Sequence, residues 1–156
     1  MSAERRTGDE APHRRRWASS LAIVLTSAVA LSAQAVFTPD DLDRAMKIVG
    51  RNISLLGSAI DARDYAAAKE RVARAREQLS PTVGFWNKAK KEDARQMVRA
   101  ATSRLDELDV ALSADSVDAA RVAQAKTAVD AACQACHAVY REQDPATKAF
   151  RAKPGL

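Results

Sequence analysis

Cysteine and histidine are almost missing from this 156-residue chain, which has two of each. Two thiols are too few for a disulfide-stapled secreted domain. Glycine and proline are scarce as well, five each, and no stretch alternates with the two-residue period of a strand. Few breakers and no strand period exclude a sheet protein and leave helices. Aromatic residues make up only 4% of the chain, and none interleaves with a basic patch, so no nucleic-acid partner is implied.

The first 35 residues read as an export leader. A polar head ends in Arg14-Arg15-Arg16, an uncharged apolar run spans Trp17 to Leu31, and Ala33-Gln34-Ala35 supplies a small-x-small cleavage pattern. The uncharged run falls short of the roughly 20 residues a membrane span needs. The expected mature chain is therefore 36–156, cleaved after Ala35, exported to the periplasm and long enough for one domain. The whole chain carries a net charge of +5, part of which leaves with the leader.

Four segments show a helical apolar period. The first opens at Thr38-Pro39-Asp40-Asp41, a capping hydroxyl, a proline and two acids, with a stripe of Leu42, Met46, Val49, Ile53, Leu56 and Ile60. The second carries Ala68, Val72, Ala75 and Leu79 and stops at Ser80-Pro81. A loop through Phe85 and Trp86 leads to the third, about Lys90 to Ser113, with Met97 on its stripe. The fourth runs from near Ser116 to Asp144-Pro145 and bears Val122, Val129, Cys133, Cys136 and Tyr140. Short connections between these helices predict an all-α fold, an antiparallel up-down-up-down four-helix bundle. Asn52-Ile53-Ser54 matches a glycosylation sequon, but it falls inside the first helix.

The scarce residues meet in one place. Cys133-Gln134-Ala135-Cys136-His137 holds both thiols and the one histidine outside the leader. A Cys-x-x-Cys-His run is a c-type haem attachment signature. On a helix, Cys133 and Cys136 share a face, so both thiols reach one porphyrin edge, and His137 offers its imidazole to the iron. A structural zinc site needs four ligands, and a thiol redox pair belongs at a helix start near a βαβ unit. Neither context is present, although an exported thiol–disulfide protein is the alternative from another class.

One covalent haem c near one bundle end, with Cys133 and Cys136 as thioethers and His137 as proximal axial ligand, is the expectation. The opposite axial position goes to methionine, an unusual donor, an exogenous molecule or nothing. Met46 lies seven residues into the first helix, about 10 Å along its axis, and Met97 sits at similar depth in the third. Phe85 and Trp86 are expected near the haem. Arg44, Lys47 and the Lys88-Lys90-Lys91 run are candidate partners for propionates or for an acidic protein, or simply a solvated face.

The run Cys133-Gln134-Ala135-Cys136-His137-Ala138-Val139-Tyr140-Arg141 resembles the class II cytochromes c, the cytochrome c′/c556 group. That resemblance implies an exported four-helix bundle with haem near its C-terminus and no enzymatic activity. It implies a low-spin electron carrier if Met46, at the c556 ligand position, holds the iron as distal ligand. It implies a five-coordinate c′-like protein binding nitric oxide or other small gases if the position is empty, with Arg141 assisting the bound ligand. Partners would be redox proteins in the periplasm or at the membrane surface, and relatives often form homodimers through their first two helices. Leu42 stands where the group often has an arginine, and Lys153–Leu156 extends past the usual c′ terminus.

Overall fold

The computed structural model describes residues 38–155, so the expected leader and the expected cleavage site lie outside the described residues. The described chain is mostly helical, as expected of an all-α fold. Four long helices, α1 (Pro39–Asp61), α2 (Tyr65–Leu79), α4 (Glu92–Leu112) and α5 (Ala119–Tyr140), are joined by short connections, with a six-residue α3 (Val83–Lys88) before α4. None of these helices is long and apolar enough to cross a membrane.

The helix starts follow the sequence. Thr38 and Asp41 form a reciprocal capping box at α1, and Asp64 and Asp118 cap α2 and α5 through their carboxylates. The helix ends are less obvious. After α1, the Asp64 N–H donates to the Ala59 carbonyl and the Arg63 N–H to the Ile60 carbonyl, both at 2.9 Å. This is a Schellman closure with arginine, at φ 56°, in the left-handed position that glycine normally takes. Lys90, also at φ 56°, closes α3 in the same way.

Packing joins α1 to α2, α2 to α4 and α4 to α5. Small residues make these contacts close: Ala68, Ala75 and Ala94 are fully buried between Leu56, Val72, Leu105 and Leu108. The first and last helices, α1 and α5, barely approach each other. The stripe residues facing that gap, Met46, Ile53, Met97, Cys133 and Cys136, are only partly buried.

Two sequence expectations need correction. The segment around Phe85 and Trp86 is not a loop: Ser80–Thr82 is a 3₁₀ turn that runs directly into α3, and both aromatic rings are buried. The fourth long helix ends at Tyr140, four residues before Asp144. Arg141 is extended, and β1 (Arg141–Gln143) pairs antiparallel with β2 (Phe150–Ala152). The physical reason lies in the turn between them. Pro145 disfavours helical backbone at Asp144, whose Oδ1 instead accepts the Ala146 and Thr147 N–H groups at 2.9 Å. Arg151 locks the hairpin by pairing with Glu142 and Asp144, each at 2.9 Å.

Because Arg63 holds a left-handed backbone that costs an L side chain more than glycine, Arg63→Gly should raise unfolding free energy by about 0.5–1 kcal/mol. Urea denaturation followed by circular dichroism measures it. The same substitution at Arg74, inside α2, should lower stability by about 1 kcal/mol.

Candidate functional site

The gap between α1 and α5 is a cleft of about 610 Å³, within the size range of small-molecule and cofactor sites. It gathers residues from separate parts of the chain: Met46 from α1, Met97 from α4, and Cys133, Cys136 and His137 from α5. Trp86, Tyr140 and Arg141 also line it, as does Leu42. Its surface is mainly apolar, and charged or polar side chains (Asp43, Lys47, Asp130, Gln134 and Arg151) line it beside the thiols, the imidazole and Arg141.

Helical spacing explains the α5 wall. Residues 133, 136, 137 and 140 fall on one face, and the first three are partly buried while Tyr140 is buried. Tyr140 fixes that face to the core. Its hydroxyl donates to Asp93 Oδ2 at 2.6 Å, and its ring lies 4.8 Å from that of Trp86. Phe85 meets Trp86 edge-on at 4.9 Å, behind the cleft wall. The Trp86 indole N–H is buried and has no hydrogen-bond partner among the described residues. A donor in that condition lacks an acceptor that a ligand could bring.

Both thiols are held protonated. Burial raises Cys133, helped by the Asp130 charge, and burial followed by the neighbouring Cys133 pushes Cys136 up to about 11. A low-pKa nucleophilic thiol, which thiol–disulfide chemistry requires, is absent from this pair. The His137 imidazole is pushed the other way, by burial first and then by the Arg141 charge, so the neutral form is favoured. Neutral imidazole is the metal-ligating form.

Arg141 Nη1 lies 3.2 Å from His137 Nδ1. Arginine only donates, so Nδ1 accepts and the ring carries its proton on Nε2. A metal at Nε2 would require that proton to move to Nδ1 and this contact to break. The guanidinium is itself stacked 3.6 Å from the centre of the Phe150 ring. β2 thus closes the cleft beside the histidine, and residues 149–152 form part of its lining.

The remaining candidates separate. Lys47 lines the cleft and pairs with Asp43 at 2.6 Å. Arg44 is exposed and pairs with Asp41 at 3.4 Å, away from the lining. Lys88, Lys90 and Lys91 do not line the cleft either. Asn52 is buried, and its Nδ2 donates to the Ile48 carbonyl at 2.9 Å, which removes it from glycosylation. No cluster of three or more His, Cys, Asp or Glu side chains able to hold a metal exists among the described residues. A protein-only metal site is therefore not what the cleft offers. One imidazole, two thiols and two thioethers in an apolar slot instead fit a metal that arrives inside an organic ligand. The hairpin contribution escaped sequence reasoning; the Asp144-Pro145 turn signal was its only trace.

Neither a known family model, nor a characterised protein, nor a solved structure matches this chain.

The Tyr140–Asp93 bond carries a pH signature. The bond holds the Asp93 carboxyl below its ordinary value and pushes Tyr140 up to about 12. The depressed carboxyl contributes stability above its unfolded pKa of about 3.9, and this is lost as pH falls through the folded value. The raised phenol contributes below about 10, and this is lost as pH rises toward 12. Wild type should therefore exceed Tyr140→Phe in stability by a constant margin from about pH 5 to 9, narrowing at both extremes. Denaturant titrations across that range test it.

Proposed function

We propose that this chain is a class II cytochrome c of the c556 kind, an exported monohaem electron carrier rather than an enzyme. The observation carrying this reading is the cleft that sets Cys133, Cys136 and His137 across from two methionines. In the proposal α1, α2, α4 and α5 form an up-down-up-down bundle with the haem between α1 and α5 near one end. Cys133 and Cys136 hold it as thioethers, His137 is the proximal axial ligand and Met46 the distal one, with Met97 its rival. When bound, the haem supplies a one-electron couple, whose potential methionine/histidine ligation raises.

The chain's own residues support that chemistry by simple means. The apolar walls, Leu42, Ile53 and Val98 among them, exclude water from the slot. Tyr140 orients the α5 face through Asp93, and the Trp86 N–H has an unused hydrogen bond to give. Arg141, within reach of the same pocket, adds positive charge beside it. A site with both axial positions filled transfers electrons without binding substrate, so acids, bases and nucleophiles are not needed. Secretion through the leader of residues 1–35 would deliver the chain to the periplasm, where redox proteins are its partners.

Absorption spectroscopy tests this in protein matured in a host competent for c-type haem attachment. Wild type should show a sharp low-spin ferrous spectrum, and Met46→Ala a broad high-spin one that takes up carbon monoxide. Met97→Ala should leave the spectrum essentially as in wild type. A high-spin wild type that binds carbon monoxide directly would replace the carrier with a gas-binding c′-like protein. The absence of covalent haem would remove both.

A further inference from the structure

A second concavity, about 550 Å³, lies on the outer face between α1 and α2. Its rim is Lys47, Arg51, Arg71 and Arg74, its floor includes Ile48 and Leu55, and no acidic side chain lines it. We propose that this groove docks an acidic, protruding segment of a redox partner protein, a reading that rests on the electron-carrier proposal.

Three observations select that occupant. The first is charge. Lys47 and Arg74 have ion-pair partners in Asp43 and Glu77, but Arg51 and Arg71 have none among the described residues. Planar guanidinium groups pair carboxylates through two parallel hydrogen bonds. The second is the apolar floor. Ile48 at 40% and Leu55 at 39% exposure are two of only five exposed large hydrophobic side chains among the described residues. An apolar centre inside a charged rim is the anatomy of a protein interface.

The third observation is position. Lys47 lines both the groove and the haem-candidate cleft. A partner seated on the groove would therefore sit against the α1 wall of the cleft, where electron exchange requires proximity. Self-pairing through this face is disfavoured, because a two-fold contact sets the four cations of one copy against the four of the other.

The test uses the holoprotein and a fluorescein-labelled peptide of glutamates with interspersed leucines, followed by anisotropy at low ionic strength. Arg51→Glu/Arg71→Glu should weaken binding by about tenfold or more, since two exposed charge pairs become repulsive. Arg99→Glu/Arg121→Glu changes net charge equally on exposed sites of α4 and α5, and should stay within about twofold of wild type. Equal weakening in both variants, or no binding by wild type, overturns the proposal. So does tighter, groove-dependent binding to phosphatidylcholine/phosphatidylglycerol vesicles, which would assign the groove to membranes. A dimer in sedimentation that the groove variant abolishes would overturn it in favour of self-association. Circular dichroism checks folding of both variants. The haem band of each sample is read alongside, so loss of the carrier reading and loss of the docking site are separate results.

Discussion

The separation of α1 from α5 is the constraint on which the rest of this structure depends. Successive helices pack closely wherever alanine faces them, through Ala68, Ala75, Ala94 and Ala101. Between the first and last helices that closure fails, and Met46, Ile53, Met97 and both thiols face a slot instead of each other. Each square ångström of apolar surface kept wet forgoes about 25 cal/mol. A flat apolar ligand would recover that loss on both of its faces at once. The same slot would give such a ligand its affinity.

The hairpin follows from the same constraint. With α1 and α5 apart, the end of α5 is covered by Trp86 of α3 and Asp93 of α4 but not by α1. The chain turns back at Asp144, and β2 packs against α1. The Lys153 N–H donates to the Tyr140 carbonyl at 3.0 Å, satisfying one acceptor that the helix end leaves open. Phe150, 53% exposed, covers the Arg141 guanidinium rather than the core. Its position makes sense as a shield for that cation, and through it for His137.

What the sequence made legible was local. Thr38 with Asp41, and the stripes of α1, α2 and α4, are patterns of three to seven residues, and the helices stand where those patterns put them. Ser80-Pro81 looks like a helix stop, which is why the sequence suggests a loop through Phe85 and Trp86. Proline is tolerated in the first turn of a helix, and there it starts the 3₁₀ turn instead of ending order. The hairpin depends on pairing Arg141 with Ala152, Glu142 with Arg151 and Gln143 with Phe150. Arg-Glu-Gln by itself is a good helix former, so only the non-local partners reveal a strand. Met46 and Met97 both line the slot, and α5 ends at Tyr140. His137 therefore sits in the last turn of its helix, a position that periodicity does not reveal.

That last-turn position bears on how readily this Cys-x-x-Cys pair ionises. Thioredoxin-type pairs sit at helix N-termini, where unpaired N–H groups stabilise a thiolate. Here Cys136 is four residues from the C-terminal end of α5, where the helix dipole presents negative charge and disfavours a thiolate. Burial, the neighbouring thiol and Asp93 act in the same direction. The resulting thiols hold little thiolate, the form that attacks a disulfide. The same negative helix end favours the cation of Arg141 beside the histidine. One placement near a helix C-terminus therefore quiets the cysteines as free nucleophiles while it presents them, with an uncharged imidazole, to a single apolar slot. A thiol–disulfide protein would need the opposite end of the helix.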